Sequence, residues 1–147
     1  MTLANLQQLA VAAAHNHGID PALVQAVCHH ESDNWNTWAV RNEPAFRKKY
    51  VDPLPNLTET ERATRSMSYG LMQVLGQVAR EYGFKGDYLT ELCDPLIGLE
   101  YGCRKLAHCL DKKNGNISEA LLMYNGGSNL AYPDLVLRHY DTYKVNT

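Results

Sequence analysis

The chain has 147 residues, 45% of them hydrophobic and 20% charged, with a formal net charge of −2. That length suits one domain, 1–147, with chain enough to bury its own core. The slight acidic balance excludes the strong basic excess of a nucleic-acid binder. No apolar run approaches the roughly 18 residues that would cross a bilayer, so no stable membrane insertion is expected.

Helical periodicity runs through the chain and no convincing alternating strand appears. Leu3, Leu6, Leu9, Ala10 and Ala13 form one apolar stripe, closed by Gly18. Met1 to Ala14 carries no Lys or Arg, so it reads as a first helix and not as a secretory signal. Asp20-Pro21 supplies an N-cap and a proline at the first helical position, opening the helix that carries Glu31. The stretch from Ser32 to Tyr69 is the least regular, and any β-hairpin belongs there. Within it, Val51 to Leu57, with Pro53 and Pro55, reads as a surface loop. The Arg47-Lys48-Lys49 run reads as a solvated helix face, or as a contact to acidic polymers of a cell envelope.

Thr58 and Glu61 have capping-box spacing, so a short helix is predicted through Arg65. Leu71 to Tyr82 is predicted as a helix stopped by Gly83. Asp94-Pro95 begins the longest element. Its Leu96, Leu99, Cys103, Leu106 and Leu110 keep the three-four spacing of a central core helix, ended by Asn114-Gly115. Ser118 caps a helix through Tyr124, and Pro133 starts a last one through Tyr143. The fold class expected is all-α, with about eight helices.

Cys103 and Cys109 lie six residues apart on one predicted helix, about 9 Å along its axis at ~1.5 Å per residue, too far for a bridge. With Cys28 and Cys93 they read as reduced, partly buried thiols. His29-His30-Glu31 has no histidine at the position, Asn34, that a zinc-protease helix would need, so no metal and no cofactor is implied. His15 and His17 read as exposed helix-end residues, and Glu100, between core positions, as a buried structural acid. Asn56-Leu57-Thr58 and Asn116-Ile117-Ser118 are sequons without meaning unless a eukaryote secretes the chain.

Three islands carry chemistry: His30-Glu31-Ser32, Ser68-Tyr69-Gly70-Leu71-Met72-Gln73 and Met123-Tyr124-Asn125-Gly126-Gly127. In this order they resemble the signature motifs of soluble lytic transglycosylases, close to small phage endolysin-type members. The flanking stretches Trp35 to Pro44 and Leu92 to Gly102 share the likeness. The resemblance implies a lysozyme-like, goose-type fold around a central helix, with a substrate cleft for peptidoglycan glycan strands. Glu31 would be the one catalytic acid, first protonating the bond between N-acetylmuramic acid and N-acetylglucosamine. It would then take the muramyl C6 proton to close a 1,6-anhydro ring. Most glycosidases use two carboxylates, although substrate-assisted exceptions exist.

The resemblance also assigns substrate-binding roles to Gln73, near the N-acetyl group, to Met72 against a sugar face, and to Gly70, Ser32 and Asn125; read without the motif, Met72 is a core residue. Tyr124 would hydrogen-bond the catalytic carboxyl, and Trp35 and Trp38 would line the cleft with Glu31. The run after Glu31-Ser32 departs from the family pattern: Asp33 and Asn34 precede Trp35-Asn36, and Thr37 replaces a proline. Asp33 or Glu43 is a possible second acid, which would make the enzyme a hydrolytic lysozyme. A non-catalytic glycan-binding or virion module is the third alternative. A chain made in the cytoplasm without a signal would act in the periplasm or cell wall, released through a holin if phage-borne. Nothing calls for an obligate partner, so a monomer is expected.

Overall fold

The computed structural model describes residues 1–144, so the last three residues of the expected 1–147 domain lie outside it. It is mainly helical, with nine α-helical segments among the described residues, close to the eight expected. Helix α1 (Leu3–Asn16) buries Leu6, Ala10 and Ala14, while Leu3 stays half exposed. Helix α2 (Pro21–Glu31) opens as expected, with the Asp20 carboxylate accepting from the Ala22 amide. Seven of its residues from Ala22 to Cys28 are buried, because α1, α8 (Tyr132–Leu137) and α9 (Tyr140–Lys144) all pack on it. An element enclosed on several sides needs no amphipathic pattern.

Helix α6 (Pro95–Lys112) is the long central element, capped by Asp94 at its start. It buries Gly98, Leu99, Gly102, Cys103, Leu106 and Cys109, whereas Leu96 of the expected stripe is 64% exposed. Asn114 and Gly115, both at positive φ, stop it. Helix α7 (Ile117–Tyr124) packs against α6, and its cap is Asn116, two residues before the Ser118 expected. The asparagine wins because its side chain reaches the Glu119 amide at 3.0 Å. The last predicted helix is two, α8 and α9, separated at Arg138 and His139.

The irregular middle holds a small antiparallel sheet, in the order β1 (Val40–Asn42), β2 (Met67–Tyr69), β3 (Val74–Leu75). Val40 pairs with Tyr69, and Tyr69 also with Val74. The predicted helix over 71–82 is therefore corrected: residues 70–73 form a turn, 74–75 a strand, and α5 starts only at Gly76 (Gly76–Glu81). Alternating Met72 and Val74 side chains into the core while β3 pairs with β2 outweighs local helix propensity.

Between β1 and β2 lie the three-residue α3 (Pro44–Phe46), a π-helical turn over Arg47–Val51, and α4 (Glu59–Arg65) capped by Thr58. Val51 is fully buried and so is no part of a surface loop. Arg47 pairs with Asp52 and Glu59, while Lys48 and Lys49 are exposed. Glu61 turns from its capping role to bridge Arg65 and Arg80, each at 2.8 Å, tying α4 to α5. A 3-10 turn, Leu89–Cys93, precedes α6.

All four cysteines are buried and free. Glu100 is 39% exposed at its side chain and pairs with His17 at 2.6 Å, so it is neither buried nor is His17 a free helix end. That pair ties α1 to α6.

Candidate active site

Glu31 is the last residue of α2 and is only 8% exposed. An acid there opposes the helix dipole, but the guanidinium of Arg41, on β1, donates to the Glu31 carbonyl at 3.1 Å and covers that helix end. Burial pushes the Glu31 carboxyl up from 4.5 to about 7; the Arg41 and Lys105 charges pull it back, and Glu43 pushes it further up. It lines an open cavity of about 530 Å³. Other elements supply Arg41 and Glu43, the rings of Phe46 and Tyr50, Gln73, and Lys105. Tyr124 and Asn125 close the far side.

The turn from Gly70 to Gln73 is built for this site. Gly70, at φ +74, donates its amide to the Ala39 carbonyl at 2.8 Å, and a Cβ on it would lie 2.7 Å from the Leu92 carbonyl oxygen. Only glycine tolerates both conditions. Gln73 is itself at φ +48. Its amide nitrogen donates to Ala39 and Gly70 carbonyls at 2.9 and 3.0 Å, which leaves its Oε1 buried without a partner among the described residues. A carbonyl oxygen so held is an acceptor awaiting a donor from a ligand.

The residues chosen from sequence divide into two groups. Glu31, Gln73, Tyr124, Asn125 and Glu43 come together around the cavity. Gly70, Met72, Ser32 and Asp33 do not line it. Met72 is fully buried and its carbonyl, not its side chain, has the directed contact: it accepts from the Tyr124 hydroxyl at 2.7 Å. The family resemblance directs that hydroxyl to the Glu31 carboxyl; in the structure the Met72 backbone takes it instead. Ser32, fully buried, donates to the Cys28 carbonyl at 2.5 Å and accepts from the Trp35 amide at 3.0 Å, so it shapes the chain reversal.

The altered run after Ser32 has a physical form. Asp33, Asn34 and Trp35 all take positive φ, from 51° to 70°, costly for a bulky residue. Trp35 is held there by its indole N–H donating to the Tyr143 hydroxyl at 2.8 Å. It is therefore buried against α9, while Trp38 is 81% exposed, and neither tryptophan lines the cavity.

Sequence reasoning passed over Arg41, Lys105 and Tyr132. A lysine or arginine among polar neighbours carries no signal of its own. Tyr132, on α8, is 1% exposed and its hydroxyl has no partner among the described residues; burial, then the Glu31 charge, keep it protonated. Behind α2 lies a histidine cluster: the His29 and His139 rings stack at 3.9 Å, and His29 Nδ1 contacts the Tyr143 hydroxyl at 2.7 Å. Among the described residues no group of three or more His, Cys, Asp or Glu could hold a metal ion. No helix described is long and apolar enough to cross a membrane.

Residues 8–132 match the family model described as the Transglycosylase SLT domain. The matched span contains all three sequence islands, Arg41, Lys105 and Tyr132. No solved structure matches the chain.

Proposed function

Since this chain belongs to the SLT transglycosylase domain family, whose members act on peptidoglycan, we propose that it cleaves the β-1,4 bond between N-acetylmuramic acid and N-acetylglucosamine with Glu31 as its single acid. The observation that carries this is a carboxyl 8% exposed, held near a pKa of 7, on the wall of an open cavity. Such a group is largely protonated in mildly acidic solution and about half protonated at neutrality, so it can act as general acid and still serve as base afterwards.

The proton passes from the Glu31 carboxyl to the bridging oxygen as the bond to the muramyl C1 breaks. The sugar's N-acetyl oxygen stabilises the positive charge that develops at C1. Glu31, now a carboxylate, takes the proton of the C6 hydroxyl, and O6 closes on C1 to give the 1,6-anhydro product. The unpaired Gln73 Oε1 accepts from the N-acetyl N–H. The half-buried ring of Phe46 and the exposed ring of Tyr50, 4.9 Å apart between centroids, offer sugars an apolar face on the cavity wall. Tyr124 fixes the turn that bears Gln73.

Hydrolysis is the second reading, favoured by one observation: Glu43 lines the same cavity and its charge is felt by Glu31. Asp33 is exposed and off the cavity, so it does not compete for that role. Digesting purified peptidoglycan and weighing the muropeptides separates the two, since anhydro ends are lighter by one water than reducing ends. Anhydro products from wild type and Glu43→Gln, with none from Glu31→Gln, are expected. Reducing ends that vanish in Glu43→Gln would overturn the single-acid mechanism. A glycan-binding module would sediment with cell-wall sacculi and release nothing. The biological setting we favour is lysis of a bacterial host as a phage endolysin, made in the cytoplasm and acting on the wall as a monomer.

A further inference from the structure

Lys105 lies on α6 one turn beyond Gly102, the glycine against which the Met72 side chain packs. From the edge of the buried stripe its chain enters the cavity wall that Glu31 shares. There the ammonium is held from two sides. It donates to the Tyr124 carbonyl at 2.8 Å and lies 4.3 Å from the centroid of the Tyr124 ring. Tyr124 is the last residue of α7, whose terminal carbonyls lack helical partners and carry the negative end of the dipole. A cation is therefore favoured at this point, and the ring face adds to the attraction. Lys105 forms no ion pair with a carboxylate among the described residues. Its charge is thus held in place without being cancelled, in surroundings that screen poorly.

We propose that Lys105 is a positioning residue, its ammonium setting the field in which Glu31 gives up and takes back its proton. This rests on the reading of Glu31 as the acid. The other groups facing Glu31 are Arg41 from β1, Glu43 just beyond it, Tyr132 from α8, and Cys28 and Tyr124 from α2 and α7. Arg41 and Lys105 favour the carboxylate and Glu43 the acid. Arg41 pulls harder on Glu31 than Lys105 does, but it is exposed and anchored to the helix end, whereas burial holds the Lys105 ammonium in the cavity wall and lowers its own pKa. Lys105 is the cation that the fold holds half-buried in the cavity wall. By favouring the carboxylate it makes Glu31 a better donor in the bond-breaking step, and a weaker base when the anhydro ring closes.

The test replaces Lys105 by Met, which keeps the stem and removes the charge, and by Arg, which restores charge. Initial rates at low concentration of soluble glycan strands are measured against pH, with melting temperature alongside. Loss of the cation leaves Glu31 protonated to higher pH. The alkaline limb, expected in the wild type where the Glu31 carboxyl titrates, near 7, should move up by on the order of one unit in Lys105→Met and return in Lys105→Arg. Should Lys105→Met not fold, Lys105→Gln keeps a donor for the Tyr124 carbonyl, and 13C NMR titration of the Glu31 carboxyl reads the same shift without turnover. A limb and carboxyl titration that stay in place while melting temperature falls would assign Lys105 to packing alone and overturn the proposal. Full activity in Glu31→Gln would instead sink the reading of Glu31, whatever the titration shows.

Discussion

The Tyr124→Phe substitution separates two accounts of one hydroxyl. In the structure that hydroxyl donates to the Met72 carbonyl at 2.7 Å, inside a region where Met72 is fully buried and Tyr124 is 2% exposed. Removing it leaves a buried carbonyl unpaired, which costs about 1–3 kcal/mol. For 147 residues the unfolding entropy is roughly 0.3 kcal/mol/K, so each kcal/mol lowers the melting temperature by about 3 °C. A fall of roughly 3–9 °C is expected by calorimetry. Lys105 keeps both of its contacts, since phenylalanine retains the ring face and the backbone carbonyl. The alkaline limb of the pH profile should therefore stay where the wild type has it, and the rate loss should come from a loosened Gln73 turn. An unchanged melting temperature with a displaced limb would show that the hydroxyl serves Glu31 directly, and the argument from its bond to Met72 would be refuted.

Glu43→Gln removes a charge that raises the Glu31 pKa, so the Glu31 carboxyl loses its proton more readily and the alkaline limb of activity moves to lower pH; initial rates between pH 5 and 9 check the direction. Gly102→Ala places a Cβ inside van der Waals distance of Met72, 2.7 Å from its Cβ, so denaturant unfolding should record a loss of about 1–3 kcal/mol and activity should fall as the turn shifts. Burial and neighbouring charges lower the pKa of His139, and burial lowers that of its stacked partner His29. Groups with depressed histidine pKa values bind fewer protons folded than unfolded, so their contribution is present above about pH 6.5 and lost as pH falls through it. His139→Gln should flatten the fall in melting temperature from pH 6.5 to 5 relative to wild type; an equally steep fall would remove the histidine stack from the account.

What the sequence determines by itself here is short-range. Asp20-Pro21, Asp94-Pro95, Thr58 and Asn114-Gly115 set helix boundaries through contacts within four residues, and those boundaries are legible without a fold. The three motif islands likewise bring Glu31, Gln73 and Tyr124 forward together, because their residue types and order are informative in one dimension. Where long-range packing competes, local signals fail: residues 71–75 leave the predicted helix for a turn and a two-residue strand, Val74–Leu75, paired by β2. Trp35 leaves the cleft for a hydroxyl 108 residues away, and Tyr124 finds its acceptor 52 residues back. Lys105, Arg41 and Tyr132 gain their places near Glu31 from elements far apart in the chain. Burial and electric field are properties of a volume, and that volume exists only once the helices have packed.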